Sequence, residues 1–265
     1  MRGRLGTLRT ANASIRATAL AALLAASTFA RADTFVLNYE APGLQNTTAT
    51  FSVVGVETFD EQPVGVNPAG FTTDFGTGGA ITGVYSGPNG VEIKAATDDG
   101  GAGGTGNYIV AYGAQPYTLT LSSSPTLDPE GINYFGFWLS ALDDGNIVTF
   151  YNNGVELYQV TPGDVSAITE LNPAYYGNPN PAFLGQNASQ PYVFINFYDT
   201  NGTFNQITFT EDPAVGGYES DNHTVGFYTK IGGVGSVPEP STWVMLMAGF
   251  GLVALWRRRR TLAAA

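Results

Sequence analysis

Cysteine is absent from the 265 residues, histidine occurs once, and charged side chains make up only 12%. Without thiols there is no disulfide framework and no thiolate nucleophile, so stability must come from a core, which a segment of roughly 200 residues can build. One histidine, His223, is too few for a zinc site, which wants several His or Cys ligands. It also leaves a nucleophilic triad without a ready base, and no G-x-S-x-G elbow is present. Cations are missing from the middle of the chain. Between Asp33 and Glu239 only Lys94 and Lys230 stand against 22 carboxylates, a net of −20. That charge repels nucleic acid and anionic headgroups, so no nucleic-acid partner is expected.

Glycine (34 residues) and aromatics (12%) are abundant, as in an exported β-rich protein. Arg2 to Arg16 form a basic n-region, Ala17 to Phe29 an apolar h-region, and Ala30-Arg31-Ala32 a small-x-small cleavage site. Residues 1–32 are therefore expected to be a signal peptide, with 33–230 as the exported domain. Short β-branched and aromatic runs fill that domain. They include TFVLNY (34–39), TFSVVGV (50–56), YTLTL (117–121), YFGFWLSAL (134–142), NIVTFYN (146–152) and VELYQV (155–160). Asp143-Asp144-Gly145, Asn152-Asn153-Gly154 and Asn201-Gly202 predict three hairpins. In FNQITFTE, Ile207 and Phe209 alternate with Gln206, Thr208 and Thr210, so one face is wet. Only PGDVSAITEL (162–171) reads as a helix, with Asp164 as N-cap. No βαβ rhythm or fixed repeat occurs. The fold expected is all-β, an antiparallel jelly-roll-like sandwich, with a barrel as structural rival. The Gly-rich run 98–107 reads as a flexible loop, and 231–237 as a linker.

The chain ends in VPEPSTWVMLMAGFGLVALWRRRR (237–260). Its apolar run, 243–256, gives about 21 Å of helix, short of a hydrocarbon core of about 30 Å. The arginines favour the cytoplasmic side, which puts the acidic domain outside the inner membrane. Pro238-Glu239-Pro240, the apolar segment, then Arg257, Arg258, Arg259 and Arg260 resemble the PEP-CTERM sorting signal (238–260). The resemblance implies a Gram-negative host that makes exopolysaccharide, and transient anchoring through the transmembrane segment 243–256. It further implies recognition and cleavage at Pro238-Glu239-Pro240 by exosortase, then delivery to the cell surface or extracellular matrix. Two prolines keep such a site extended and reachable. The domain is similar to a family of exosortase-dependent surface proteins through YYGNPN (175–180), PYVFINF (191–197) and ESDNHTV (219–225). That family brings no biochemical activity.

Candidate chemistry within the domain is sparse. By resemblance, ETFD (57–60) looks like the first-strand acidic motif of bacterial jelly-roll domains, and Ser220-Asp221-Asn222 like their closing motif. Asp60 and Asp221 are thus candidates to share one structural Ca2+. The alternative is that both are turn residues bonding their own backbone. His223 reads as a strand-edge or surface residue. Tyr134 and Trp138 are candidates for stacking on sugar, or for the core. No cofactor is required and no catalysis is expected. The role expected is structural or adhesive, within exopolysaccharide or biofilm. The alternatives are a calcium-dependent carbohydrate-binding module and a secreted polysaccharide-degrading enzyme.

Overall fold

A computed structural model describes residues 34–126, 131–169 and 172–237. The expected signal peptide (1–32), Pro238-Glu239-Pro240, the apolar run and the arginines lie outside the described residues. Among those described, no helix is long and apolar enough to cross a membrane.

The chain is all-β, as its short alternating runs predict, and forms two antiparallel sheets. The first holds nine strands: β1 (Phe35–Tyr39), β2 (Thr50–Glu57), β3 (Gly65–Asn67), β6 (Val91–Ala95), β7 (Asn107–Ala111), β9 (Tyr134–Ser140), β12 (Val193–Asp199), β14 (Tyr218–Lys230) and β15 (Gly235–Val237). Their order is β15-β1-β12-β9-β14-β7-β6-β3, and β2 pairs with the second half of β14. The second sheet holds six: β4 (Phe71–Thr73), β5 (Ile81–Ser86), β8 (Tyr117–Ser123), β10 (Asn146–Asn152), β11 (Val155–Val160) and β13 (Gln206–Glu211), in the order β11-β10-β13-β8-β5-β4. The inner faces meet in one aromatic core. Phe137 of β9 lies edge-on to Phe209 of β13 at 5.3 Å, and Phe135 likewise to Phe150 of β10 at 6.1 Å. Edge-to-face pairing suits the ring quadrupoles and adds to their area burial.

One of the three expected hairpins forms. Asn153 (φ 49°) and Gly154 (φ 80°) join β10 to β11, both in the left-handed region that a tight hairpin turn demands. The other two turns connect strands in different sheets. β9 lies in the first sheet and β10 in the second, and β12 and β13 are divided the same way. Asp143 to Gly145 and Asn201-Gly202 are therefore crossovers. At the second, Asp199 Oδ1 accepts the backbone N–H of Asn201 (3.2 Å) and Gly202 (2.8 Å), closing a local turn. The helix α1 (Pro162–Thr169) begins with Thr161 as N-cap, not Asp164. Asp164 reaches back instead, and its carboxylate accepts the Thr161 N–H and O–H at 2.8 and 2.7 Å, in the manner of a capping box.

Two segments expected to be loose are ordered. Gly235–Val237, read as the end of a linker, pair antiparallel with β1, Val237 opposite Leu37. The Gly-rich run 98–107 is packed down. Gly100 sits against the Tyr108 ring, and a Cβ at Gly106 (φ 75°) would run into the Asp60 carboxylate. Here glycine supplies close approach, not flexibility.

Candidate functional site

Three sets of residues deserve a chemical reading, and the sequence pointed to parts of each. The first is the acidic pair. β2 and β14 lie side by side with Glu57 opposite His223, so ETFD and SDN are neighbours, as the resemblance implied. The Gly-rich loop spans both. Its Ala102 N–H donates to Asp221 Oδ2 at 2.7 Å, and Asn107 N–H to Asp60 Oδ1 at 2.9 Å. Asn222 N–H holds Asp221 Oδ1 at 2.6 Å. Burial pushes the Asp221 carboxyl up to about 8 despite these amides, and the charges of Asp60 and Glu57 push the same way. Glu219, two residues earlier on the same face, is also driven up to about 8 by burial. Among the described residues, no three His, Cys, Asp or Glu side chains converge closely enough to hold a metal.

The loop is itself held by the Asn-rich segment singled out in the sequence. Asn178 and Asn187 amides and the Tyr192 hydroxyl all donate to the Asp98 carbonyl, at 2.9, 3.0 and 2.6 Å. Asn180 donates to the Gly101 carbonyl at 3.2 Å. YYGNPN thus serves as a clamp on the loop that covers Asp221. Between loops and sheet lie Trp138, Tyr192, Phe194 and Ala141, a small second core. Trp138 and Tyr134 do point away from the main core, but both are 0% exposed. Neither is a sugar platform. Trp138 Nε1 and Ser140 Oγ are buried there without a hydrogen-bond partner among the described residues, so this layer is polar and undersatisfied.

The second set surrounds His223. It is fully buried in mid-strand, not at an edge or surface, because β14 begins six residues earlier than TVGFYT suggested. Asn222 (φ 50°) makes an irregularity in the pairing with β9 that turns the imidazole inward. Its Nδ1 meets the Tyr85 hydroxyl at 2.9 Å and its Nε2 the Ser220 hydroxyl at 3.0 Å. Ser220 in turn pairs with Tyr117 at 3.0 Å. Phe59, Phe135 and Phe209 box the ring. Burial drops the imidazole to about 3, so it stays neutral. A serine beside a histidine is the geometry of an activated nucleophile. This pair is sealed in the core from both sheets and acts as a cross-link between β5, β8 and β14.

The third set is the tail. β15 ends at Val237, so the strand gives way directly to Pro238. In the sequence the acidic all-β domain is followed by Pro-Glu-Pro, an apolar run and four arginines, the order of a sorting tail. The family model for the PEP-CTERM protein-sorting motif matches residues 236–260, and the chain carries that motif. The motif implies export, an anchored precursor and processing by exosortase. No curated protein and no solved structure matches the chain.

Proposed function

We propose that the protein is a structural or adhesive component of the cell surface or extracellular matrix of a Gram-negative bacterium. It associates with exopolysaccharide or biofilm and acts by contact, without catalysis. The observation that carries this reading is the motif at 236–260 adjoining an acidic β domain. The chemistry inside the domain supports a non-enzymatic role. The Ser220–His223 pair is closed off, and Glu219 and Asp221, the carboxylates a hydrolase would recruit, are buried, Asp221 beneath the Gly-rich loop. Its processing is tested by replacing Pro238-Glu239-Pro240 with alanines in the native host. Anchored precursor is expected to accumulate at the expense of the released form. Release at the unmodified level would refute it. Sugar release abolished by Glu219→Gln would establish the polysaccharide-degrading alternative instead.

A second reading, a jelly-roll module stabilised by calcium, is favoured by one observation: β2 pairs with β14, which brings ETFD beside Ser220-Asp221-Asn222 and sets Asp60 near enough to act on the Asp221 carboxyl. Calcium takes six to eight oxygens, so backbone carbonyls and water would have to complete this two-carboxylate set. Melting in calcium at a hundredfold excess over its Kd should exceed melting in chelator by about 5–10 °C. The difference should vanish in Asp60→Asn. Equal melting temperatures would remove calcium from the account.

A further inference from the structure

The six-stranded sheet leaves its outer face open, and that face has an unusual composition. The register aligns Gln159, Thr149, Thr208, Thr118 and Ser86 across five strands. The adjacent row is Tyr151, Gln206, Thr120, Val84 and Thr72, and a third pairs Ser122 with Thr82. Their sequence neighbours Phe150, Leu119, Ile207, Phe209 and Tyr85 point inward and fill the core. Thr72, Thr82, Ser86, Thr120, Ser122 and Gln159 are exposed, and Thr118, Thr208 and Gln206 half-exposed. Thr149 alone is buried, beneath the Gln159 amide that donates to it at 3.3 Å. Among these outward strand positions, Glu156 at the edge strand is the single charge. Beyond Thr208 the face runs into an open depression of about 530 Å3, lined by Ile147, Thr210, Gln159 and Pro116 and, at its rim away from the strand rows, by the acidic Glu211 and Asp212.

We propose that this hydroxyl-lined face is a docking surface for a neutral polysaccharide. The inference rests on the reading of the protein as a matrix component in contact with exopolysaccharide, and it names the face and the class of polymer. Charge decides the class. The chain from Asp33 to Glu239 as a whole carries a net of −20, which repels a polyanion, while a polycation would be drawn to the acidic surface outside this face. An uncharged polyol is not repelled by that field, and the strand rows themselves carry no charge beyond Glu156 at the edge. Each Thr or Ser hydroxyl offers one donor and two acceptor sites, matching sugar hydroxyls in kind. The β-branched threonines are stiff at χ1, so little side-chain freedom is lost when they are engaged. Sheet geometry sets neighbouring positions about 4.8 Å apart across strands and about 6.7 Å apart along them, and the accessible hydroxyls lie on the four adjacent strands β13, β8, β5 and β4. Single hydroxyl contacts exchange with water at little net gain, so binding comes from many weak contacts along one polymer. The depression at one end gives the chain room to leave the plane.

The test uses the processed, full exported protein in co-sedimentation with microcrystalline cellulose, cross-linked dextran and, as polyanion, covalently cross-linked alginate beads free of calcium. Binding to at least one neutral polymer and none to alginate is expected, with short oligosaccharides competing poorly. Thr120→Glu/Thr208→Glu should lower retention at least tenfold. The isosteric Thr120→Val/Thr208→Val, which keeps strand propensity and shape, should lower it severalfold. Thr50→Glu/Val54→Glu, on β2 of the other sheet, should leave it unchanged. Cooperative melting of each variant verifies folding. If the unmodified protein binds and both face variants bind equally, the face is wrong and polysaccharide contact stands. Binding to alginate alone overturns the neutral class. Binding to none of the three overturns the inference, while the sorting experiment still judges surface delivery.

Discussion

Asp221 and His223 stand two residues apart on β14 and make stability depend on pH in opposite directions. Burial holds the Asp221 carboxyl near 8, against about 3.9 in an unfolded chain. Between those values the unfolded chain releases a proton that the folded chain keeps. Stability from this group is therefore lost as pH rises from about 4 to about 8, and levels off above. Glu219 adds the same trend. His223 stays neutral down to about 3 in the fold but protonates below about 6.5 when unfolded, so it lowers stability as pH falls through that window. Asp221→Asn removes the first effect and leaves the second. Measured in chelator, the variant's stability relative to the parent should rise from pH 5 to pH 8 by a few kcal/mol. The amide's poorer fit to two N–H donors shifts both values alike. A difference independent of pH would mean that Asp221 is ionised throughout. None of this was legible in the sequence, where ESDNHTV reads as a turn entering a strand. The burial comes from β2, β9 and the Gly-rich loop, all distant in the chain.

At the scale of elements, local signals succeeded where one strand pair decides the outcome. Asn153-Gly154 works because both residues take positive φ and both strands stay in one sheet. Gly154 has no atoms near its missing Cβ, so Gly154→Ala isolates backbone strain. It should cost about 1–2 kcal/mol in urea unfolding. Gly83→Ala, in β5, fails for another reason, because its Cβ would meet the Phe75 ring and Leu119. A loss of about 1–3 kcal/mol is expected there, reduced by Phe75→Leu, whereas that second change should not rescue Gly154→Ala. Equal responses of the two glycines to Phe75→Leu would contradict the assignment. β3, β4 and β5 were not legible, since short Gly- and Thr-rich runs read as turns until a partner strand is known. The missing hairpins have the same origin: Asp-Gly and Asn-Gly specify a chain reversal, not the sheet into which the next strand goes.

For the whole molecule, the linear parts of the reading carried furthest. The sorting tail is recognised by order along the chain, so residues 237–260 sufficed, and the family match covers 236–260. The all-β class was legible because alternation records an inner and an outer face wherever strands lie. The adjacency of ETFD and Ser220-Asp221-Asn222 came through resemblance alone. The role of YYGNPN as the clamp over Asp221 needed the folded chain. Finally, β15 changes how the anchored precursor must be pictured. Its three residues are the last before Pro238, and they lie along β1, not in a free stalk. While they are paired, the domain is held at the very start of the sorting motif. Peeling them away breaks only a few edge hydrogen bonds, each worth about 1 kcal/mol net, and adds about 10 Å of extended chain. The spacing between domain and sorting motif therefore has two values, and the longer one is within easy thermal reach when exosortase processes the precursor.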